Sequence, residues 1–269
     1  QATLPARLAF VSVAVWWFVF SIPLFRKVPE PTLGEDAHRW AHHHPIRATL
    51  LRLMETGRDI RRCRQGFLML LAFLIYNDGI GTIFRMATIY GREIGINSDS
   101  LIQAILIVQF VGIPCSFAFG SLAGKLGVKA SIMLGLVVYT LICVVGYFMK
   151  TDRDFLILAV LVGTVQGGTQ ALSRSLFAGL IPRSKSGEFF GFFAVVEKFA
   201  GIFGPLLFAV INMLTGSSRN AILAVIGFFV VGGVLLALVD VEEGQREALA
   251  EDLDALTPAP APVATSLGS

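Results

Sequence analysis

Asp78, Arg85, Arg174, Glu197 and Lys198 lie deep inside long apolar stretches of the chain. A charge in hydrocarbon is costly and persists chiefly where it faces a bundle interior or a water-filled path. Acids and bases in such places can carry a proton, bind a charged or zwitterionic solute, or lock helices together as ion pairs. Asn77, Gln166 and Gln170 add amide donors and acceptors to the same stretches. Gln166, Gln170 and Ser173 fall at i, i+4 and i+7, so a helix sets them on one face, where they either hydrogen-bond a zwitterion or join helices. Adjacent helical residues diverge by about 100°, so Glu197 and Lys198 cannot simply neutralise each other. Each needs a partner elsewhere, and the expected pairs are Arg174 with Glu197 and Asp78 with Lys198.

The elements that must hold these groups are membrane helices. Mean hydropathy is +0.72 and 55% of residues are hydrophobic, far above the mix of a soluble domain. Seven stretches approach or exceed the ~20 residues that cross ~30 Å of hydrocarbon: Pro5–Phe25, Gly66–Tyr90, Ser100–Leu122, Ala130–Met149, Phe155–Ile181, Phe189–Leu214 and Asn220–Val239. They are long and do not alternate in polarity, which argues against strands. The expected class is therefore an all-α, multi-pass membrane protein. Its expected parts are a first helix over 1–25, an inter-half loop over 26–65, a six-helix unit over 66–240 and a disordered tail over 241–269, acidic and then rich in Pro and Ala. The chain begins at Gln1 and meets a span almost at once, so it reads as part of a larger bundle.

Basic residues set the orientation. The loop between the first two spans carries Arg26, Lys27, Arg39, Arg47, Arg52, Arg58, Arg61, Arg62 and Arg64 against five acids. The turns at Lys125/Lys129 and Arg183/Lys185 are also basic, while the alternate connections are near neutral. Basic loops stay cytoplasmic, and the seven-span count puts all three on that side. Ile46, Leu50, Leu53 and Met54 recur at helical spacing in the long loop, which fits either an amphipathic helix on the membrane face or a solvated connector. His42, His43 and His44 read as a solvated polar run. Cys63, Cys115 and Cys143 have no ligand spacing and read as free thiols, so neither a metal site nor a cofactor is expected.

The last six spans carry a repeat. Their order is polar, polar, apolar, and then polar, polar, apolar again. Three-helix repeats are a known construction for transporters, with the site at the repeat interface. In such a bundle two helices of each triplet line the cavity and the third faces lipid. At ~1.5 Å per residue, Asp78 lies roughly 18 Å from the inner end of its span, and Arg174, Glu197 and Lys198 roughly 12–14 Å. These four occupy one slab. Gly163, Gly167 and Gly168 permit close helix approach, as do Gly112, Gly120 and Gly124. Pro114 and Pro205 can kink their helices.

The turn Gly120-Ser-Leu-Ala-Gly124-Lys125-Leu-Gly127-Val-Lys129 resembles the cytoplasmic loop motif of the major facilitator superfamily. Gly124 stands where that motif has an acid. The motif lies between the second and third helix of a half, which is where the polarity repeat puts it. Tyr76-Asn-Asp-Gly-Ile-Gly-Thr82, Gln166-Gly-Gly-Thr-Gln-Ala-Leu-Ser-Arg-Ser175 and Lys185-Ser-Gly-Glu-Phe-Phe-Gly-Phe192 are similar to the vacuole-effluxer-like branch, named after an autophagy-related yeast protein that releases amino acids from the vacuole. The resemblance implies the sixth helix, central loop and C-terminal half of a twelve-helix fold. It marks Asn77, Asp78, Gln166, Gln170, Arg174, Glu188 and Lys198 as family-pattern positions, with Glu188 either capping its helix or joining an inner gate.

The function these observations imply is secondary transport of a small polar or zwitterionic solute, such as an amino acid, by alternating access. Asp78 is the expected coupling or gating carboxylate, with Glu197 second. The expected partners are the solute, protons, the lipid bilayer and an N-terminal half of the same protein. The expected site is a bacterial cell membrane, or a vacuolar membrane in a eukaryote. A seven-helix receptor or sensor and a lipid flippase on the same fold remain alternatives. No nucleophile–base pair, metal-ligand spacing or phosphate loop is present, so neither an enzyme nor a nucleic-acid binder is expected.

Overall fold

The structure, a computed structural model, describes residues 3–28 and 45–256. The run of histidines at 42–44 lies outside the described residues, as does the chain beyond 256. The chain separates into two units, residues 1–51 and 52–269, each described by itself.

The first unit contains α1 (Thr3–Lys27), a 25-residue helix with an apolar surface exposed all round. It also holds the start of α2 (Pro45–Ile60). In the second unit follow α3 (Arg64–Glu93), α4 (Ser98–Leu126), α5 (Val128–Phe148) and α6 (Asp152–Gly179). A 3₁₀ turn at Arg183–Lys185 leads into α7 (Ser186–Ala200), and α8 (Phe203–Thr215), α9 (Ser218–Leu238) and α10 (Val241–Leu256) complete it. No strand occurs among the described residues. Among the described residues, seven helical segments are long and apolar enough to cross a membrane, with α7 and α8 forming one of them.

Polar contacts at the helix ends show that α3 to α9 traverse the bundle alternately. At one end Asn97 donates to Asp152, Glu93 accepts from Ser218, and Arg219 donates to the carbonyls of Tyr147 and Met149. At the other end Lys129 Nζ donates to the carbonyls of Ala237 and Val239 at 2.8 and 2.7 Å, and Gln65 bonds Asp240 and Glu243. The basic turns at Lys129 and Lys185 share that second end with Arg64.

Packing crosses the two triplets. The third helix of each lies against the first helix of the other: α5 on α6, and α9 on α3. α5 and α9 also meet, where Tyr139 stacks on Phe229 with ring centroids 5.4 Å apart. Both keep one exposed apolar stripe, Val137, Leu141 and Phe148 on α5, and Val230, Val234 and Leu238 on α9. α4 packs along α6, which the glycines permit: a Cβ on Gly163 would stand 3.1 Å from the Val108 carbonyl oxygen. Beyond their own helix backbone and chain neighbours, no atom of the described residues lies within 4 Å of a Cβ placed on Gly120 or Gly124. α4 runs through Pro114 without interruption.

Two features depart from the sequence reading. The stretch Phe189–Leu214 is not one helix but breaks at Gly201–Ile202. A proline has no N–H, so Pro205 cannot bond back to Gly201, and the N–H of Gly204 is taken by a side chain from another helix. The helical ladder resumes at Leu206, whose N–H reaches the Ile202 carbonyl. The segment after Asp240, expected to be disordered, is helical over Val241–Leu256. Its acids find fixed partners. Asp252 accepts from the N–H groups of Arg183 and Ser184 at 2.9 and 3.0 Å, and Glu251 meets Lys185 Nζ at 2.9 Å. Gly244 lets it pack against Leu180 and Gln65.

The end of α2 is held at the same place. Lys185 Nζ is 3.4 Å from Asp59, Ile60 is fully buried, and Gly57 packs on Phe192. The helix exists, and within 52–60 it buries Thr56 and Ile60 against the bundle and leaves Met54 exposed.

Candidate functional site

The break between α7 and α8 lies against α3, and Asp78 joins them. Its side chain is 3% exposed. Asp78 Oδ2 accepts from Gly204 N–H at 2.7 Å, in the first turn of α8, where unpaired N–H groups and the helix dipole favour an anion. Oδ1 has no hydrogen-bond partner, and its nearest cation is Arg85 Nη2 at 3.6 Å. Thr82, one turn on from Asp78, donates to the Asp78 carbonyl at 2.7 Å and closes the contact with Gly204. No side chain fits at Gly204, because a Cβ there would stand 3.0 Å from that carbonyl oxygen and overlap Thr82.

Arg85 lies on the same face of α3 as Asp78, seven residues on, with its side chain 45% exposed. Its guanidinium occupies a slot between Gly81 of α3 and Gly201 in the break between α7 and α8. A Cβ on Gly81 would stand 2.6 Å from Nη2, and one on Gly201 would stand 2.8 Å from Nη1. Spacing pointed to Lys198 as the partner of Asp78. The structure replaces it with Arg85 and a backbone N–H, because the break turns Gly204 rather than Lys198 toward α3. Lys198 is exposed on α7, with no ion-pair partner among the described residues.

A second pair lies between α6 and α7. Arg174 Nη2 donates to Glu197 Oε1 at 3.4 Å, the arginine 54% and the glutamate 20% exposed. Between the two pairs, Gln170 Nε2 donates to Asn77 Oδ1 at 3.0 Å. Ser173 bonds Tyr76 at 2.6 Å in the buried layer behind. Gln166 stands apart from these contacts. It lines a cavity of about 310 Å³ between α3, α4 and α6, shared with Gln109 and walled by apolar residues such as Phe84, Leu101 and Phe155. A polar strip therefore runs from Arg85 and Asp78 through Asn77 and Gln170 to Arg174 and Glu197.

The loop-motif residues do not join this strip. Gly127 has φ +88° and turns the chain from α4 into α5, a conformation glycine adopts without strain. Lys129 caps the last carbonyls of α9, and Lys125 is exposed. Glu188 is exposed in the first turn of α7 and makes no side-chain bond to its N-cap, so its acid there is a dipole match. Lys185, read from the sequence as part of a basic turn and not as a site residue, gathers Asp59 and Glu251. Its signal was a lysine ahead of a helix start, too common to single out. Arg85 was noted, but the slot that holds it needs Gly201, more than a hundred residues away. Three free cysteines are described, and no group of three metal-ligating side chains occurs among the described residues.

An all-helical bundle of alternating spans, with ion pairs and a broken helix at its polar strip, defines an integral multi-pass membrane protein with part of a major facilitator-type fold. Residues 1–249 match the family described as "Vacuole effluxer Atg22 like", and the chain belongs to that family. It is 44% identical over 237 residues to a Bacillus subtilis protein named "Uncharacterized MFS-type transporter YxiO", covering 88% of this chain and 54% of that one. It is 27% identical over 274 residues to "Autophagy-related protein 22-1" of Aspergillus fumigatus, covering 93% and 45%. To "Autophagy-related protein 22" of Yarrowia lipolytica it is 28% identical over 277 residues, covering 92% and 46%. The chain spans about half the length of the curated relatives it matches.

Proposed function

We propose that this chain forms one half of a secondary transporter that moves a small polar or zwitterionic solute, such as an amino acid, by alternating access. The observation that carries the reading is Asp78: a buried carboxylate with one oxygen fixed to the start of a broken helix and the other without a hydrogen bond. Discontinuous helices whose ends meet polar groups are a recurrent way to build a solute or ion site in such folds. A proton on Oδ1 would remove the charge facing Arg85 and leave the Gly204 bond in place. Arg174 with Glu197, and Lys198 beside them, then exchange partners with the solute or the other half as the two halves rock, while Asn77 and Gln170 supply hydrogen bonds to the solute. The inner-end surface made by Gly120, Gly124, Lys125, Gly127, Lys129 and Glu188 then meets the other half as the gate on that side, braced by the contacts of Lys185 with Asp59 and Glu251.

Family membership supports this reading over a seven-helix receptor, since the family description and the name of the Bacillus relative both speak of transport or efflux. The test is uptake of a labelled neutral amino acid mixture by proteoliposomes holding the full-length native protein, with and without an imposed proton gradient. Gradient-driven uptake that disappears in Asp78→Asn supports the reading. Absence of uptake by folded protein would move it to another solute or to lipid.

A further inference from the structure

We infer that the slot holding Arg85 is a carboxylate-binding subsite, and that a bound carboxylate and Asp78 compete for the same guanidinium. Four observations converge on it. Arg85 is half exposed on the polar strip, although it sits within a membrane-spanning helix. It meets Asp78 only at 3.6 Å, beyond hydrogen-bond range, so its N–H groups remain largely uncommitted. An arginine presents a planar fork of donors suited to two carboxylate oxygens. The absence of a Cβ at Gly81 and Gly201 lets the backbone close on the guanidinium from two sides and hold it in place, at the point where α7 breaks off before α8, so that its open side is the exposed one.

Asp78 Oδ1, buried and without a hydrogen bond, faces into this slot. Two carboxylates beside one guanidinium in a low-dielectric site cannot both stay ionised without large cost. A solute carboxylate on Arg85 therefore goes with a proton on Asp78 Oδ1, and an empty slot goes with an ionised Asp78 facing Arg85. The remaining charges nearby do not alter this balance. On α7, Glu197 is taken by Arg174, and Lys198 is exposed with no acid paired to it among the described residues. α9 presents Phe228 and Phe229 to this part of α3, and its Arg219 is held by carbonyls at the far end. On α3 itself, Glu93 is bonded to Ser218 at that far end.

The inference deepens the transport reading and rests on it for the existence of a solute. Its test uses the purified full-length native protein and two probes: a mixture of neutral amino acids, and the same amino acids as carboxamides. Ligand-dependent thermal stabilisation reports binding without requiring transport. The amino acids should stabilise the wild type, and the carboxamides should need at least tenfold higher concentration for the same effect. Arg85→Gln should abolish that preference and Arg85→Lys should reduce it. Gly201→Ala, whose methyl crowds Nη1, should weaken amino acid binding about tenfold with Arg85 still present; it carries the test if Arg85→Gln does not fold. Binding by the wild type should tighten as pH falls from 7.5 to 5.5, by at most tenfold per unit for one proton, and in Asp78→Asn it should be tight at both. Equal stabilisation by acids and carboxamides, an unchanged Arg85→Gln, or no response of the wild type to any carboxylate probe would overturn the inference. If acids bind through Arg85 while uptake ignores the gradient, the subsite stands and the coupling role of Asp78 falls. If gradient-driven uptake needs Asp78 but carries carboxamides equally, the outcome is reversed.

Discussion

Asp78→Asn and Asp78→Ala separate the structural from the transport role of this carboxylate. In the wild type Oδ2 makes a charge-assisted bond to Gly204 N–H at 2.7 Å, a class of bond that contributes about 1.5–3 kcal/mol. The Arg85 contact is longer and its guanidinium half exposed, so it adds about 1 kcal/mol or less. Asparagine keeps the shape and an oxygen that can accept from Gly204. It loses the charge assistance and the pairing with Arg85, a cost of about 1–2 kcal/mol. Alanine also leaves the buried N–H without a partner, for a total of about 2–4 kcal/mol. The Asn variant should therefore melt a few degrees below wild type, and the Ala variant clearly lower. In proteoliposomes Asp78→Asn should lose gradient-driven accumulation entirely while remaining folded, since an amide cannot take up and release the proton. Accumulation by Asp78→Asn at the wild-type level would refute the coupling argument, and equal melting of Asn and Ala variants would refute the Gly204 bond as its structural basis.

Other consequences follow from named contacts. Gly204→Ala should abolish stable expression or lower the melting temperature more than Asp78→Ala does, because its Cβ meets both the Asp78 carbonyl and Thr82; a variant as stable as wild type would count against close packing of α8 on α3. Burial first, and then the charge and hydrogen bond of Glu251, push the Cys63 thiol up to about 11, so little thiolate exists at pH 8. Maleimide labelling of Cys63 at pH 8 should run about a hundredfold or more slower than labelling of a free thiol. Glu251→Gln should speed it, since loss of the anion favours the thiolate; no change would show that α10 is not docked there. Lys129→Ala removes two hydrogen bonds to the end of α9 and should cost about 1–3 kcal/mol, read as a lower melting temperature of the full-length protein. Bonds from the Ser184 and Arg183 N–H groups hold the Asp252 carboxyl below its usual range. Its contribution is present at neutral pH and is lost as pH falls through that lowered value, so the protection of those two amides, measured against their intrinsic exchange rate at each pH, should fall in acid and in Asp252→Asn.

The sequence by itself determined the class and the layout. Span number follows from the length of apolar runs, which depends on composition alone. The polarity repeat picked out α3, α6 and α7, which meet at the strip, along with α4, which does not reach it, and charge cost in hydrocarbon singled out Asp78, Arg85, Arg174, Glu197 and Lys198 before any contact was known. Arg174 with Glu197 was legible because few cations lie at the right depth. Tertiary structure alone decided the partner of Asp78. That choice hinges on a helix break: Pro205, which the sequence marked as a kink, has no N–H to offer, and a carboxylate from α3 takes the neighbouring N–H of Gly204. The same holds for the Arg85 slot, assembled from Gly81 and Gly201, and for the helix over Val241–Leu256. Local composition there reads as a solvated acidic tail. Its order comes from Lys185, Gln65 and the N–H groups of Arg183 and Ser184, which folding brings to one end of the bundle.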